Sequence, residues 1–194
     1  MKKHPLYLFF CLFIFGCGGG GGGSSMPEQV IVDNDNSYQG ETCADTNRVG
    51  MKKCDLKHDN IDRFYYVYTP NNLDSNKSIP VLFAFHGYGS SAIRHLNYTN
   101  YFPLADLNNF IVVYPQGSTT ATLSSHWNVG GWTSKSTTND IDFVDTVINL
   151  LKDKIPIDEQ RIYSSGMSNG GYMGYHLACN LSSKFAAIAS VTGS

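Results

Sequence analysis

The chain has 194 residues, 42% of them hydrophobic, with 12 tyrosines and 11 phenylalanines, and a net charge of −2. That is ample apolar material for a folded core of roughly one domain. With no basic cluster, the charge gives no footprint for nucleic acid, and no cofactor is expected.

The chain opens as an address. Lys2 and Lys3 precede the apolar run Leu6 to Phe15, which is too short to span a bilayer. Ile14-Phe15-Gly16-Cys17 closes the run in the form of a bacterial lipobox, with Phe15 a less usual occupant. Residues 1–17 are therefore read as a lipoprotein-type signal with Cys17 as the lipidated residue. A secretory signal cleaved later and an uncleaved anchor are the alternatives. The expected location is exported, either on a bacterial cell envelope or extracellular, with membrane contact through the lipid. Residues 18–27 form a Gly/Ser tether.

Residues 28–60 are polar and are read as an irregular segment ahead of the first strands. Cys43 and Cys54 flank a short polar loop in it, and export makes a disulfide between them the expected state. Zinc competes for those thiols, with His58 as the one histidine at ligand spacing, but no metal is expected.

Residues 61–194 carry the domain. Arg63 to Thr69 is aromatic and β-branched and predicts a strand ended by Pro70. Ile79 to Phe85 and Phe110 to Tyr114 are continuous apolar runs, the pattern of strands buried on both faces. Asp142 to Leu151 places Val144, Val147, Ile148 and Leu151 on one helical face, with Asp140 and Asp142 read as caps and electrostatic fittings at its start. Arg161 to Ser165 predicts a strand, Gly171 to Asn180 a helix with Cys179 as a buried thiol, and Phe185 to Val191 a further strand. Alternating strands and helices predict the α/β class, a mostly parallel sheet with helices on both faces.

The chemistry lies between the last two of those elements. Gly166-Met167-Ser168-Asn169-Gly170 joins a strand to a helix, the form of a nucleophile elbow that lifts the Ser168 hydroxyl above the sheet. The bland alternative is a tight Gly/Ser turn without chemistry. His86-Gly87-Tyr88-Gly89 follows the buried strand Val81 to Phe85. In an α/β-hydrolase that loop supplies one oxyanion N–H, assigned here to Tyr88 with Gly87 fixing its approach, and Asn169 supplies the other. His86 is read as a structural hydrogen-bonding residue rather than the base.

These two motifs, with Tyr114-Pro115-Gln116-Gly117 and Trp127-Asn128-Val129-Gly130-Gly131 between them, occur in an order and spacing similar to the polyhydroxybutyrate depolymerase and feruloyl or acetylxylan esterase family of the α/β-hydrolases. The resemblance covers about Asp62 to Ser194. It implies a secreted serine carboxylesterase acting on ester bonds of a polymer or of cell-wall polysaccharide through an acyl-Ser168 intermediate. Trp127 and Trp132 are the candidate substrate-binding aromatics, with packing over the rim as the alternative for both. The chain departs from the family where many relatives carry cysteines and this one has Trp132.

A serine nucleophile needs a base and an orienting carboxylate, which in this fold follow it in the chain. After Ser168 the sequence offers only His176, about 12 Å along the helix, and no Asp or Glu. The expectation is therefore the N-terminal part of a longer hydrolase, truncated after the strand that follows the elbow helix. A prolyl-oligopeptidase-type serine peptidase and a catalytically incomplete surface lipoprotein acting as a binding module are the competing readings.

Overall fold

The computed structural model describes residues 38–74, 76–119 and 124–193. The readings made for the signal, for Cys17 and for the tether lie outside the described residues.

Among the described residues seven strands form one sheet in the order β1-β2-β3-β5-β4-β6-β7. They are β1 (Tyr38–Asp45), β2 (Met51–His58), β3 (Ile61–Tyr68), β4 (Ile79–Phe85), β5 (Ile111–Pro115), β6 (Ile157–Met167) and β7 (Phe185–Val191). Strands β5, β4, β6 and β7 run parallel, while β1, β2 and β3 pair antiparallel and attach through β3 to β5.

Among the described residues the α-helices are α1 (Ala92–Thr99), α2 (Phe102–Asn108), α3 (Asp140–Lys152) and α4 (Asn169–Asn180). They cover both faces, as the strand pattern dictates. Residues on a strand alternate between faces, so Val81, Phe83 and Phe85 of β4 meet Phe143 and Val147 of α3 and Met173 and Leu177 of α4. On the other face Ala84, Val112 and Tyr114 pack with Leu96 of α1 and Phe102 and Ala105 of α2. The α/β expectation holds, with the parallel character confined to the four strands that carry the site.

The irregular reading of residues 28–60 is corrected over 38–60, where β1 and β2 extend the sheet. Their signal is weak because antiparallel strands at this end of the sheet leave one face to solvent, and β2 (Met-Lys-Lys-Cys-Asp-Leu-Lys-His) buries Met51, Cys54, Leu56 and His58 between charged residues. A disulfide joins Cys43 to Cys54, which face each other directly across the β1–β2 ladder. Helices α1 and α2 also escaped the sequence reading, being 8 and 7 residues long. Two local signals mark them: Ser91, whose side chain accepts the Arg94 N–H as N-cap, and a proline in the first turn of α2.

Two further corrections concern single residues. The cap of α3 is Asn139, whose side chain accepts the Asp142 N–H at 3.2 Å. Asp140 and Asp142 follow it in the first turn and serve other partners. Cys179 is exposed near the end of α4, because it falls on the polar side of that helix, away from Met173 and Leu177.

Candidate active site

Strand β6 ends at Met167 and α4 begins at Asn169, so Ser168 alone turns the chain. It does so at φ 53°, ψ −119°, a backbone state that non-glycine residues rarely occupy. The turn closes only because its flanking residues lack side chains. A Cβ on Gly166 would lie 2.1 Å from the Gly170 carbonyl oxygen, and one on Gly170 would lie 2.2 Å from that of Phe85. A serine at an N-cap ordinarily accepts a helix N–H; Ser168 makes no such cap bond, which leaves its hydroxyl uncommitted to the helix. The Ser168 amide is committed, donating to Val191 at 2.8 Å and tying the elbow to β7.

The loop after β4 lies against this turn. A Cβ on Gly87 would sit 3.3 Å from the Met167 carbonyl oxygen and 3.5 Å from the Ser168 Cβ, so the Gly87–Tyr88 peptide adjoins the hydroxyl. Among the described residues the Gly89 and Ser90 amides donate to Ser125 and Gly87, while no backbone acceptor takes the Tyr88 or Asn169 N–H. Asn169 begins α4, where N–H groups have no intrahelical partner and the helix adds partial positive charge. The Ser168 turn and the loop that carries the Tyr88 amide are therefore in contact, with the Asn169 amide next to Ser168 in the chain.

His86 is buried and bonded on both nitrogens. Its Nδ1 lies 2.8 Å from the Gly87 carbonyl oxygen and its Nε2 accepts the Gly117 N–H at 2.9 Å. Burial pushes its pKa down from 6.5 to about 4, so the ring is neutral at physiological pH. It shapes the loop, and with both nitrogens engaged it has none left for proton transfer at Ser168. His176 contacts the Asn180 side chain at 3.4 Å on the same helix, not the nucleophile.

The two tryptophans separate. Trp127 is fully buried, so the substrate-binding expectation for it is corrected. Its indole N–H donates to the His86 carbonyl at 2.9 Å and its ring meets Phe85 edge-on at 5.1 Å. Its backbone N–H donates to the Asn169 side-chain oxygen at 2.7 Å. A tryptophan with every polar group engaged inside the core has no face left for a ligand. Trp132 is 58% exposed and stands between Tyr88 and Tyr172, at ring separations of 5.6 and 6.3 Å. Tyr88 itself is 45% exposed, so aromatic surface borders the loop that carries the open amide.

Sequence reasoning missed the groups behind the site. Arg63 of β3 is buried, its guanidinium 3.9 Å from the Phe143 ring centroid and 2.7 Å from Asp140. The signal was present: Arg63, Tyr65 and Val67 share the inward face of β3, and a cation in an inward row requires an acid.

Residues 95–194 match the prolyl oligopeptidase family. Among curated proteins the chain is similar to the bifunctional acetylxylan esterase/xylanase of Neocallimastix patriciarum, 35% identical over 131 residues, which are 68% of this chain and 18% of that protein. It is also similar to feruloyl esterase B of Thermothelomyces thermophilus, 32% identical over 130 residues, 66% of this chain and 43% of that one. The chain therefore spans less than half the length of these relatives. Among solved structures, an S-formylglutathione hydrolase from Agrobacterium tumefaciens superposes with a TM-score of 0.58 at 14% identity, over 75% of this chain and 59% of that one. That last likeness is one of fold.

Proposed function

The chain belongs to the prolyl oligopeptidase family, within the α/β-hydrolases, and from that premise we propose that it is the Ser168-bearing part of an exported serine carboxylesterase. The substrates are acetyl, feruloyl or hydroxyalkanoate esters of a polymer or of cell-wall polysaccharide. The observation that supports this reading is the strained Ser168 turn, free of a cap bond and packed against Gly87, with no backbone acceptor on the Tyr88 or Asn169 N–H among the described residues.

In the proposed reaction the Ser168 oxygen adds to the ester carbonyl, and the carbonyl oxygen takes up charge that the Tyr88 and Asn169 N–H groups bind. Collapse of this adduct expels the alcohol and leaves an acyl-Ser168 ester. Water then repeats the addition and releases the acid. Two such donors are worth several kcal/mol of barrier, about 3 kcal/mol for the loss of one. Turnover also requires a base for the Ser168 proton. No described histidine hydrogen-bonds that hydroxyl, so turnover is proposed for the whole protein. Trp132, with Tyr88 and Tyr172, forms the aromatic border against which the acyl or sugar part of the substrate rests.

Labelling of the natural protein with a fluorophosphonate tests the assignment. The label is expected on Ser168 and is expected to disappear in Ser168→Ala with the fold retained; a labelled Ser168→Ala variant overturns it. A second reading, a serine peptidase, is favoured by the prolyl oligopeptidase match. Turnover of the three ester classes against that of peptides decides between the two.

The exported state is proposed with Cys17 as a lipid anchor. Among the described residues no helix is long and apolar enough to cross a membrane.

A further inference from the structure

The elbow and the oxyanion loop belong to different strands, yet both donors must hold their positions to within a fraction of an ångström. Behind them runs a closed ring of hydrogen bonds. Asp140 has no exposed side-chain surface. One of its oxygens accepts from Arg63 Nη2 at 2.7 Å, and the other accepts the Asn128 N–H at 2.7 Å and the Thr138 hydroxyl at 3.4 Å. One residue before Asn128, the Trp127 backbone clamps the Asn169 side chain at two points. Its N–H donates to Asn169 Oδ1 at 2.7 Å, and its carbonyl accepts from Asn169 Nδ2 at 3.2 Å. The Trp127 indole reaches the His86 carbonyl.

The other arm leaves through Arg63, whose Nη2 also donates to the Gln116 carbonyl at 3.1 Å. The next residue, Gly117, donates its N–H to His86 at 2.9 Å. Both arms therefore finish on the two segments that carry the open amides. A buried ion pair is a poor source of net stability, since apolar residues of equal volume usually serve as well. The Arg63 Nε is buried without a partner, which adds to its cost.

We propose that the Arg63–Asp140 pair positions both oxyanion donors, with Asp140 a positioning residue that acts through Trp127 and Asn128 on Asn169. This rests on the oxyanion roles proposed above. Asp140 is thereby neither a helix cap nor the carboxylate of a triad. The β4–β6 ladder pairs as far as Phe85 and Gly166, and the ring braces from behind the two segments that continue past its end.

The test is Asp140→Asn in the natural protein, with Arg63→Met/Asp140→Leu as a companion that removes both buried charges together. Loss of a positioned donor acts on the transition state, so kcat on an ester substrate is expected to fall about tenfold to a hundredfold with KM changed less than about twofold. In the companion, melting temperature is expected to recover toward wild type while kcat stays low. An unchanged kcat in folded Asp140→Asn overturns the proposal, as does a kcat that recovers together with the melting temperature. A readout free of turnover runs alongside. In proton–nitrogen spectra the Asn169 side-chain amide and the Trp127 indole N–H are expected to shift in Asp140→Asn, and wild-type positions for both overturn the proposal. A wild-type protein without ester turnover sinks the esterase reading alone, and the spectra then decide the positioning.

Discussion

The Gly117 N–H donates to Nε2 of His86 at 2.9 Å, joining the end of β5 to the start of the oxyanion loop. An acceptor nitrogen there puts the ring proton on Nδ1, aimed at the Gly87 carbonyl 2.8 Å away. Protonating Nε2 would turn an acceptor into a second donor facing an N–H. The loop is therefore built for a neutral imidazole.

A pH dependence of stability follows. Burial holds both His86 and His95 at about 4, below the ordinary 6.5. Between those values the unfolded chain binds protons that the folded chain refuses, so stability is full above about pH 6.5 and falls as pH drops toward about 4. At 1.36 kcal/mol per pH unit the loss is on the order of 3 kcal/mol for each histidine. His95 supplies the separable case, because its Nε2 is buried without a partner. His95→Leu is expected to flatten the profile and to cost little at pH 5. Urea midpoints at pH 7.5, 5.5 and 4.5 measure it, and an unchanged slope in the variant refutes the assignment.

At the elbow, space rather than charge sets the sequence. Gly170→Ala drives a methyl to 2.2 Å from the Phe85 carbonyl oxygen, which belongs to the middle of the sheet and cannot retreat. The expected cost is about 3 kcal/mol or more. Gly89→Ala meets nothing within 4 Å and pays only for its φ of +68°, about 1 kcal/mol. Melting temperatures of the two variants should keep that order; equal losses would mean that the helix start yields where the packing says it does not.

What the sequence made legible was whatever a short local pattern carries. The apolar runs at β4 and β5, the amphipathic face of α3 and the Gly-x-Ser-x-Gly turn each bring their physics within a few residues. The pair Arg63–Asp140 is 77 positions apart, and no local pattern joins them. Strands β1 and β2 were hidden because antiparallel strands at the end of a sheet solvate much of their length, so their polar residues read as loop. Trp127 was misplaced for a related reason. Its neighbours Asn128, Gly130 and Gly131 read as an exposed loop, and only the fold shows that loop folded inward over Asn169 and His86.

Cys17→Ser tests the address. A single lipidated cysteine after signal removal is the anchor proposed, and acyl chains hold a protein to a bilayer at about 0.8 kcal/mol per buried methylene. The variant is expected to leave the membrane fraction or to accumulate unprocessed. Unchanged fractionation with unchanged intact mass would remove the lipid anchor and leave the hydrolase assignment standing.

The two tryptophans predict opposite phenotypes. Trp127 is sealed in the core with its indole N–H on His86, so Trp127→Phe leaves a cavity and strands the His86 carbonyl. Stability is expected to fall by about 2 to 4 kcal/mol, and turnover with it, whatever the ester. Trp132 is 58% exposed, and truncating it removes little packing, so Trp132→Ala should shift stability by less than about 0.5 kcal/mol. Its effect belongs to binding. An aromatic contact of about 0.5 to 1.5 kcal/mol corresponds to a KM raised up to about tenfold for a feruloyl ester. An acetyl ester presents no ring and should keep its KM. The comparison that matters is therefore the ratio of the two KM values in wild type and in Trp132→Ala. A ratio unchanged by the substitution would assign the border formed by Tyr88, Trp132 and Tyr172 to shielding the site from water rather than to recognising the acyl group.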